Sequence, residues 1–293
     1  MLHTIKNDYL SVRIDTLGAQ LQSIRSVSET EYLWQGDEKY WEKRSPLLFP
    51  YVARLYGCGY TLHGRKYEMG IHGFATQSEF KTREARPASL TMILRESDET
   101  LRQYPFTFTL AVTYSLCGET LEVKYTVENR DRMPMPFGIG GHPGFNVPFE
   151  KESEFSDYTL TFSEACTPDR LGFTQENFLS GVNKPYPLEK RKVLRLSHSL
   201  FDEDAIVLQN MARSVTLASE KSRKKLTVSY PDMPYLGIWH MPKTDAPYVC
   251  IEPWSSLPSR QGVVEELSCK SDLLTVRPGE KFETQWEITI TED

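Results

Sequence analysis

Apolar and polar residues alternate along most of this chain, as in Tyr9-Leu10-Ser11-Val12-Arg13-Ile14 and Ala19-Gln20-Leu21-Gln22-Ser23-Ile24, on either side of a turn at Asp15 to Gly18. A period of two places successive side chains on opposite faces, so each run predicts a half-buried strand. Similar runs occur at 90–94, 106–116, 121–127, 157–162, 205–208, 215–218, 225–230, 236–239, 248–252 and 282–290. The stretches 107–116 and 120–127, joined at Cys117-Gly118-Glu119, predict a hairpin. Helical periodicity is confined to 99–104 and 261–267, a turn or two each. Many short strands without strand-helix-strand alternation predict an antiparallel all-β fold, a large β-sandwich or barrel with few short helices. No linker, repeat or low-complexity stretch divides residues 1–293, so a single domain is expected.

Composition narrows the class. With 39% hydrophobic and 25% charged residues, the chain has the make-up of a globular protein with a large core. A net charge of -6 argues against a nucleic-acid partner, which selects for a basic face. The basic run Lys221 to Lys225 (K-S-R-K-K) reads as a solvated hairpin tip. The five cysteines are widely spread and form no C-x-x-C pair, which predicts reduced thiols and gives no zinc framework. The opening M-L-H-T-I-K-N-D-Y-L lacks an apolar signal core, and no run of about 18 apolar residues occurs. A cytoplasmic protein with no membrane partner is expected.

Four segments stand out from the alternation. Pro136 to Asn146 (P-F-G-I-G-G-H-P-G-F-N) surrounds His142 with Gly138, Gly140, Gly141 and Gly144, while Pro143 restricts the backbone. That is a backbone built for close approach and for holding one imidazole; a tight turn with a structural histidine is the plainer alternative. Gly70 to Ala75 sets His72 beside glycines. Phe49 to Leu55 carries Arg54, and a second hairpin follows at Leu62-His63-Gly64-Arg65. Val249-Cys250-Ile251-Glu252-Pro253-Trp254 ends an apolar strand on a glutamate. Burial of Glu252 would raise its pKa and suit it to proton transfer; a solvated strand end, or an ion pair with Arg54, is the alternative. A metal site from His72, His142 and Glu252 lacks a close H-x-H or H-x-x-x-H pair. Serine hydrolysis lacks a G-x-S-x-G elbow. General acid-base chemistry without a metal is left, and the rings of Trp239, Trp254, Phe145 and Phe74 favour a sugar as substrate.

In order along the chain, P-Y-V-A-R at 50–54, I-H-G-F at 71–74, G-H-P-G-F-N at 141–146 and C-I-E-P-W at 250–254 resemble the motifs of the aldose 1-epimerase (galactose mutarotase) family. The resemblance covers nearly the whole chain, including Y-T-V-E-N at 125–129. It implies a β-supersandwich that interconverts the α and β anomers of a free aldose with no cofactor or metal. By position it implies Glu252 as the base at the C1 hydroxyl, His142 as the acid at the ring oxygen and His72 as a helper. Arg54, Trp239, Phe145 and Asn146 are the expected sugar contacts. Three positions depart from the family. Gly141 stands where the best-known galactose mutarotases have asparagine. Their sugar-binding aspartate has only Asp232 and Asp245 as candidates, and Thr76 replaces an arginine of the hexose 6-phosphate branch. Arg44, Arg54 and Arg65 keep a phosphosugar substrate in view, and a non-catalytic sugar-binding protein is a further alternative.

Overall fold

Two large antiparallel sheets share one apolar core in the computed structural model, which describes residues 1–292. The longer sheet runs in the order Val193–Arg195, Tyr158–Phe162, Ser214–Ser219, Lys225–Ser229, Lys281–Thr291, Thr120–Asn129, Phe108–Cys117, Ser89–Arg95, Lys81–Arg86. Its central strands show why alternation made them legible: Leu121, Val123, Tyr125 and Val127 are buried, while the residues between them are partly exposed. The hairpin expected at 107–127 is present, with Gly118 turning the chain at φ +57°. The basic run Lys221 to Lys225 lies at the turn between two paired strands, with Lys221 bonded to Asp157 at 2.7 Å.

Differences from expectation have simple causes. Lys81–Arg86 (K-T-R-E-A-R) is an edge strand exposed along its whole length, so it carries no apolar signal, and its charges guard an open edge. Leu2–Lys6 buries only Ile5. The predicted turn of helix at 99–104 is the helix Asp98–Gln103, capped by reciprocal bonds between Ser97 and Thr100. The one expected at 261–267 is not helical; only a short 3-10 turn, Leu267–Cys269, follows it. Among the described residues no helix is long and apolar enough to cross a membrane.

The shorter sheet holds the feature that matters for function. Its order is Lys184–Pro185, Asp169–Arg170, Ile206–Gln209, Tyr235–Trp239, Tyr248–Trp254, Gly140–Gly141, Leu47–Leu48, with Gly144–Asn146 also paired to Tyr248–Trp254. Along Tyr248–Trp254, Val249 and Ile251 join the main core. Tyr248, Cys250, Glu252 and Trp254 project from the opposite face, yet they too are buried. Two satellite clusters cover that face. Trp34, Tyr40, Trp41, Trp239 and Met241 gather around Tyr248 and Cys250, and Leu48, Val52, Val207 and Leu257 gather around Trp254.

Candidate active site

Glu252 lies on this covered face, 2% exposed, and His142 lies against it. Backbone pairing places His142: its N–H donates to Pro46 O at 3.1 Å, Gly141 pairs with Leu47, and Gly144 N–H donates to Arg44 O at 2.8 Å. Gly141 is there because a Cβ at that position would meet the Trp286 ring at 2.7 Å. The imidazole stacks on Trp41 (centroids 4.9 Å, 27°) and meets Trp239 edge-on at 5.7 Å. His142 Nε2 is 3.3 Å from Glu252 Oε2. That is proton-transfer range, but neither this oxygen nor His142 Nδ1 makes a formed hydrogen bond, and both are buried.

His72 reaches the same place from the loop after Met69. It sits in the left-handed region (φ +65°), as does Ala53 (φ +60°). The two lock each other: His72 N–H donates to Ala53 O at 2.9 Å, and Ala53 N–H donates to His72 Nδ1 at 3.2 Å. With Nδ1 accepting, the neutral ring carries its proton on Nε2 and is a fixed donor. Its ring meets that of His142 edge-on, 5.6 Å between centroids.

Burial dominates the electrostatics. It pushes the Glu252 carboxyl well above the usual carboxylate range; the Trp254 indole N–H opposes this weakly, without forming a bond of ordinary geometry, and the charge on Asp204 adds to it. Burial also lowers His142 to about 3, with its own backbone carbonyl opposing and Lys43 assisting. His72 is held well below the ordinary imidazole value by burial, then by His142, Lys43 and Arg54. At neutral pH both imidazoles are therefore neutral, and burial favours the protonated form of the glutamate.

Of the residues singled out in the sequence, Glu252, His142, His72 and Trp239 converge, and exposed Arg54 lies close enough for its charge to bear on His72. Phe145 is a correction: it is fully buried in the main core. Asn146 is partly exposed and pairs with Tyr248, its Nδ2 donating to the carbonyls of Glu31 (2.8 Å) and Leu33 (3.1 Å). Phe74 packs among Phe49, Tyr104 and Phe108. Arg44 is bonded to Gln22 O at 2.8 Å, and Arg65 stands over Tyr67 on its hairpin. Asp232 is exposed, and Asp245 is an exposed partner of Lys39 and Tyr40. Trp41, Lys43, Cys250 and Asp204 complete the surroundings; the sequence reading gave none of them a role. A tryptophan beside a lysine in a non-periodic loop was the one signal for the first two. Asp204 has φ +74° and accepts from Asn177 Nδ2 at 2.6 Å. A cavity of about 610 Å³ between Gly73, Lys81, Arg95 and Glu99 touches the His72 loop and Phe74 but is not lined by His72, His142, Trp239 or Glu252.

Residues 1–289 match the profile of the family described as aldose 1-epimerase. The chain is 36% identical over 295 residues to the chromosomal LacX protein of Lactococcus lactis subsp. lactis, covering 98% of each. Its structure is similar to that of a galactose mutarotase related enzyme from Lactobacillus acidophilus, with TM-score 0.95, 33% identity, and 100% and 99% of the two chains covered. A galactose mutarotase-like protein from Lactobacillus casei gives TM-score 0.94 at 32% identity, covering 99% of this chain and 100% of that one.

Proposed function

This chain belongs to the aldose 1-epimerase family, and from that premise we propose that it interconverts the α and β anomers of an aldose in the cytoplasm by acid-base catalysis at His142 and Glu252. The observation that carries the proposal is the His142–Glu252 contact at 3.3 Å, between an imidazole that burial keeps neutral and a carboxyl whose protonated form burial favours. Such a pair holds one transferable proton, and moving it from Glu252 to His142 creates a carboxylate base and an imidazolium acid without changing the net charge. Glu252 then takes the proton of the C1 hydroxyl while His142 gives its own to the ring oxygen. The C1–O5 bond breaks, C1 becomes a carbonyl, and the chain rotates about C1–C2. Reclosure with the transfers reversed yields the other anomer and restores the pair.

The remaining groups hold the sugar. His72 donates from Nε2, Arg54 grips a hydroxyl, Trp239 offers a ring edge, and Asp204, in place of Asp232 or Asp245, accepts from a hydroxyl. A phosphosugar is the second reading. It is favoured by Lys43 and Arg54, two exposed cations whose charge reaches the imidazoles.

Magnetisation-transfer NMR across free aldoses and their 6-phosphates, with Glu252→Gln as control, tests both readings. Exchange above the uncatalysed rate that the substitution cuts by about 10²–10⁴-fold is expected. Exchange limited to the phosphates selects the second reading, and binding without exchange identifies a sugar-binding protein.

A further inference from the structure

Cys250 carries an inference that the proton-transfer reading leaves untouched. Cys250 and Glu252 stand two apart on one strand and so share a face, and His142 is brought to them by the pairing of Gly140–Gly141 and Gly144–Asn146 with that strand. One ligating atom from each, the sulfur, a carboxylate oxygen and an imidazole nitrogen, lies within 4.8 Å of the other two, and all three residues are buried. Donor atoms around a tetrahedral zinc ion lie about 3.3–3.8 Å apart. His142 Nε2 and Glu252 Oε2 already stand at 3.3 Å, within that range. Glu252 Oε2 is moreover a buried oxygen with no hydrogen bond. A buried acceptor without a partner beside a thiol and an imidazole is a donor set that a thiophilic cation would satisfy.

We propose that His142, Cys250 and Glu252 form a three-ligand site for a thiophilic divalent cation of the zinc type. The Cys250 thiol and the Glu252 carboxyl each release a proton to solvent on ligation, and His142 binds through a lone pair. The two charges of the ion are met by two anions, which removes the cost of placing it among buried groups. A fourth position is left to water, as in open zinc sites. The close-spaced H-x-H pattern sought in sequences misses such a set, because the sheet assembles it from ligands 108 positions or more apart alongside a Cys-x-Glu pair. On the reading of His142 and Glu252 as proton-transfer groups, the ion occupies their reacting atoms and is an inhibitor.

The test uses cobalt(II) as probe, because thiolate ligation gives it a near-ultraviolet charge-transfer band that needs no turnover to be seen. Titration of the full chain is expected to develop this band at one equivalent, with zinc displacing the cobalt. Cys250→Ser, checked for native structure by circular dichroism, is expected to lose the band and to bind zinc more weakly by about tenfold or more, as a hard hydroxyl replaces a soft ligand. Glu252→Gln is expected to keep the thiolate band but weaken binding. A wild-type protein with no band, or a Cys250→Ser protein that still shows it through Cys58, Cys117, Cys166 or Cys269, overturns the site. Neither result bears on whether the protein turns over sugars.

Discussion

Glu252 is folded into surroundings that disfavour its charge, and this has consequences for stability as well as for chemistry. A carboxyl whose folded pKa is raised takes up a proton on folding at any pH between its unfolded and folded values. Its contribution therefore turns unfavourable as pH rises above about 4.3, the unfolded value. Glu252→Gln removes that term, so thermal melts should show the variant more stable than the wild type at pH 7, with the gap closing as pH falls toward 4. The groups facing this carboxyl, His142, Cys250, Trp254 and Asp204, are retained in the variant. His142 has the opposite sign. Lowered to about 3, it stays neutral through the range where an ordinary imidazole titrates, with Lys43, His72 and Glu252 around it. The pH profile of kcat/KM should then be flat through pH 6.5, and an acid limb with its midpoint there would contradict the assignment. Removing the Lys43 charge (Lys43→Met) should move any acid limb upward.

At the scale of elements, alternation made the strands legible because it reports which face is buried. It failed where that report is silent: the wholly exposed edge Lys81–Arg86, and the two-residue strands Leu47–Leu48 and Gly140–Gly141. The same limit explains the site. His72, His142 and Glu252, which the fold brings together, could be singled out because glycine-rich loops and an apolar strand ending in a carboxylate are local signals. Phe145 was misplaced because nearness to a motif in sequence does not decide which face a strand residue occupies; it pairs with Val249 and follows it into the core. Trp41 and Asp204 depend on partners far away in sequence. Gly141 shows how an element can be tuned to the sheet behind it. Where a side chain at position 141 would project, the Trp286 indole lies instead, held by its N–H to Tyr125 OH at 2.9 Å. Gly141→Ala should cost about 1–3 kcal/mol in denaturant melts through overpacking. Combined with Trp286→Phe it should cost less than the sum of the two, a coupling that a double-mutant cycle measures.

For the whole molecule, the site is assembled from segments as distant as Trp41, His72, His142, Asp204 and Glu252, so it exists only when the shorter sheet and its covering loops are in place. The loops are fastened to the body. Ser259 N–H donates to Arg54 O at 2.9 Å, and buried Lys270 bonds to Leu257 O at 2.9 Å and Asp272 Oδ2 at 2.6 Å. The two ends are joined as well, since Glu292 accepts from Tyr32 OH and Ser26 Oγ at 2.8 and 2.7 Å. We propose on this ground that the chain folds as one domain. The tryptophans make the idea testable: Trp34, Trp41, Trp239 and Trp254 lie on the covered face, whereas Trp286 lies in the main core. Fluorescence therefore follows mainly the site and its loops, and far-ultraviolet circular dichroism follows the strands. If the covering loops and the sandwich are one cooperative unit, fluorescence, circular dichroism and anomer exchange should be lost at the same denaturant concentration. Loss of fluorescence and exchange ahead of the strand signal would instead mark the covering loops as a separate, weaker unit laid over a finished sandwich.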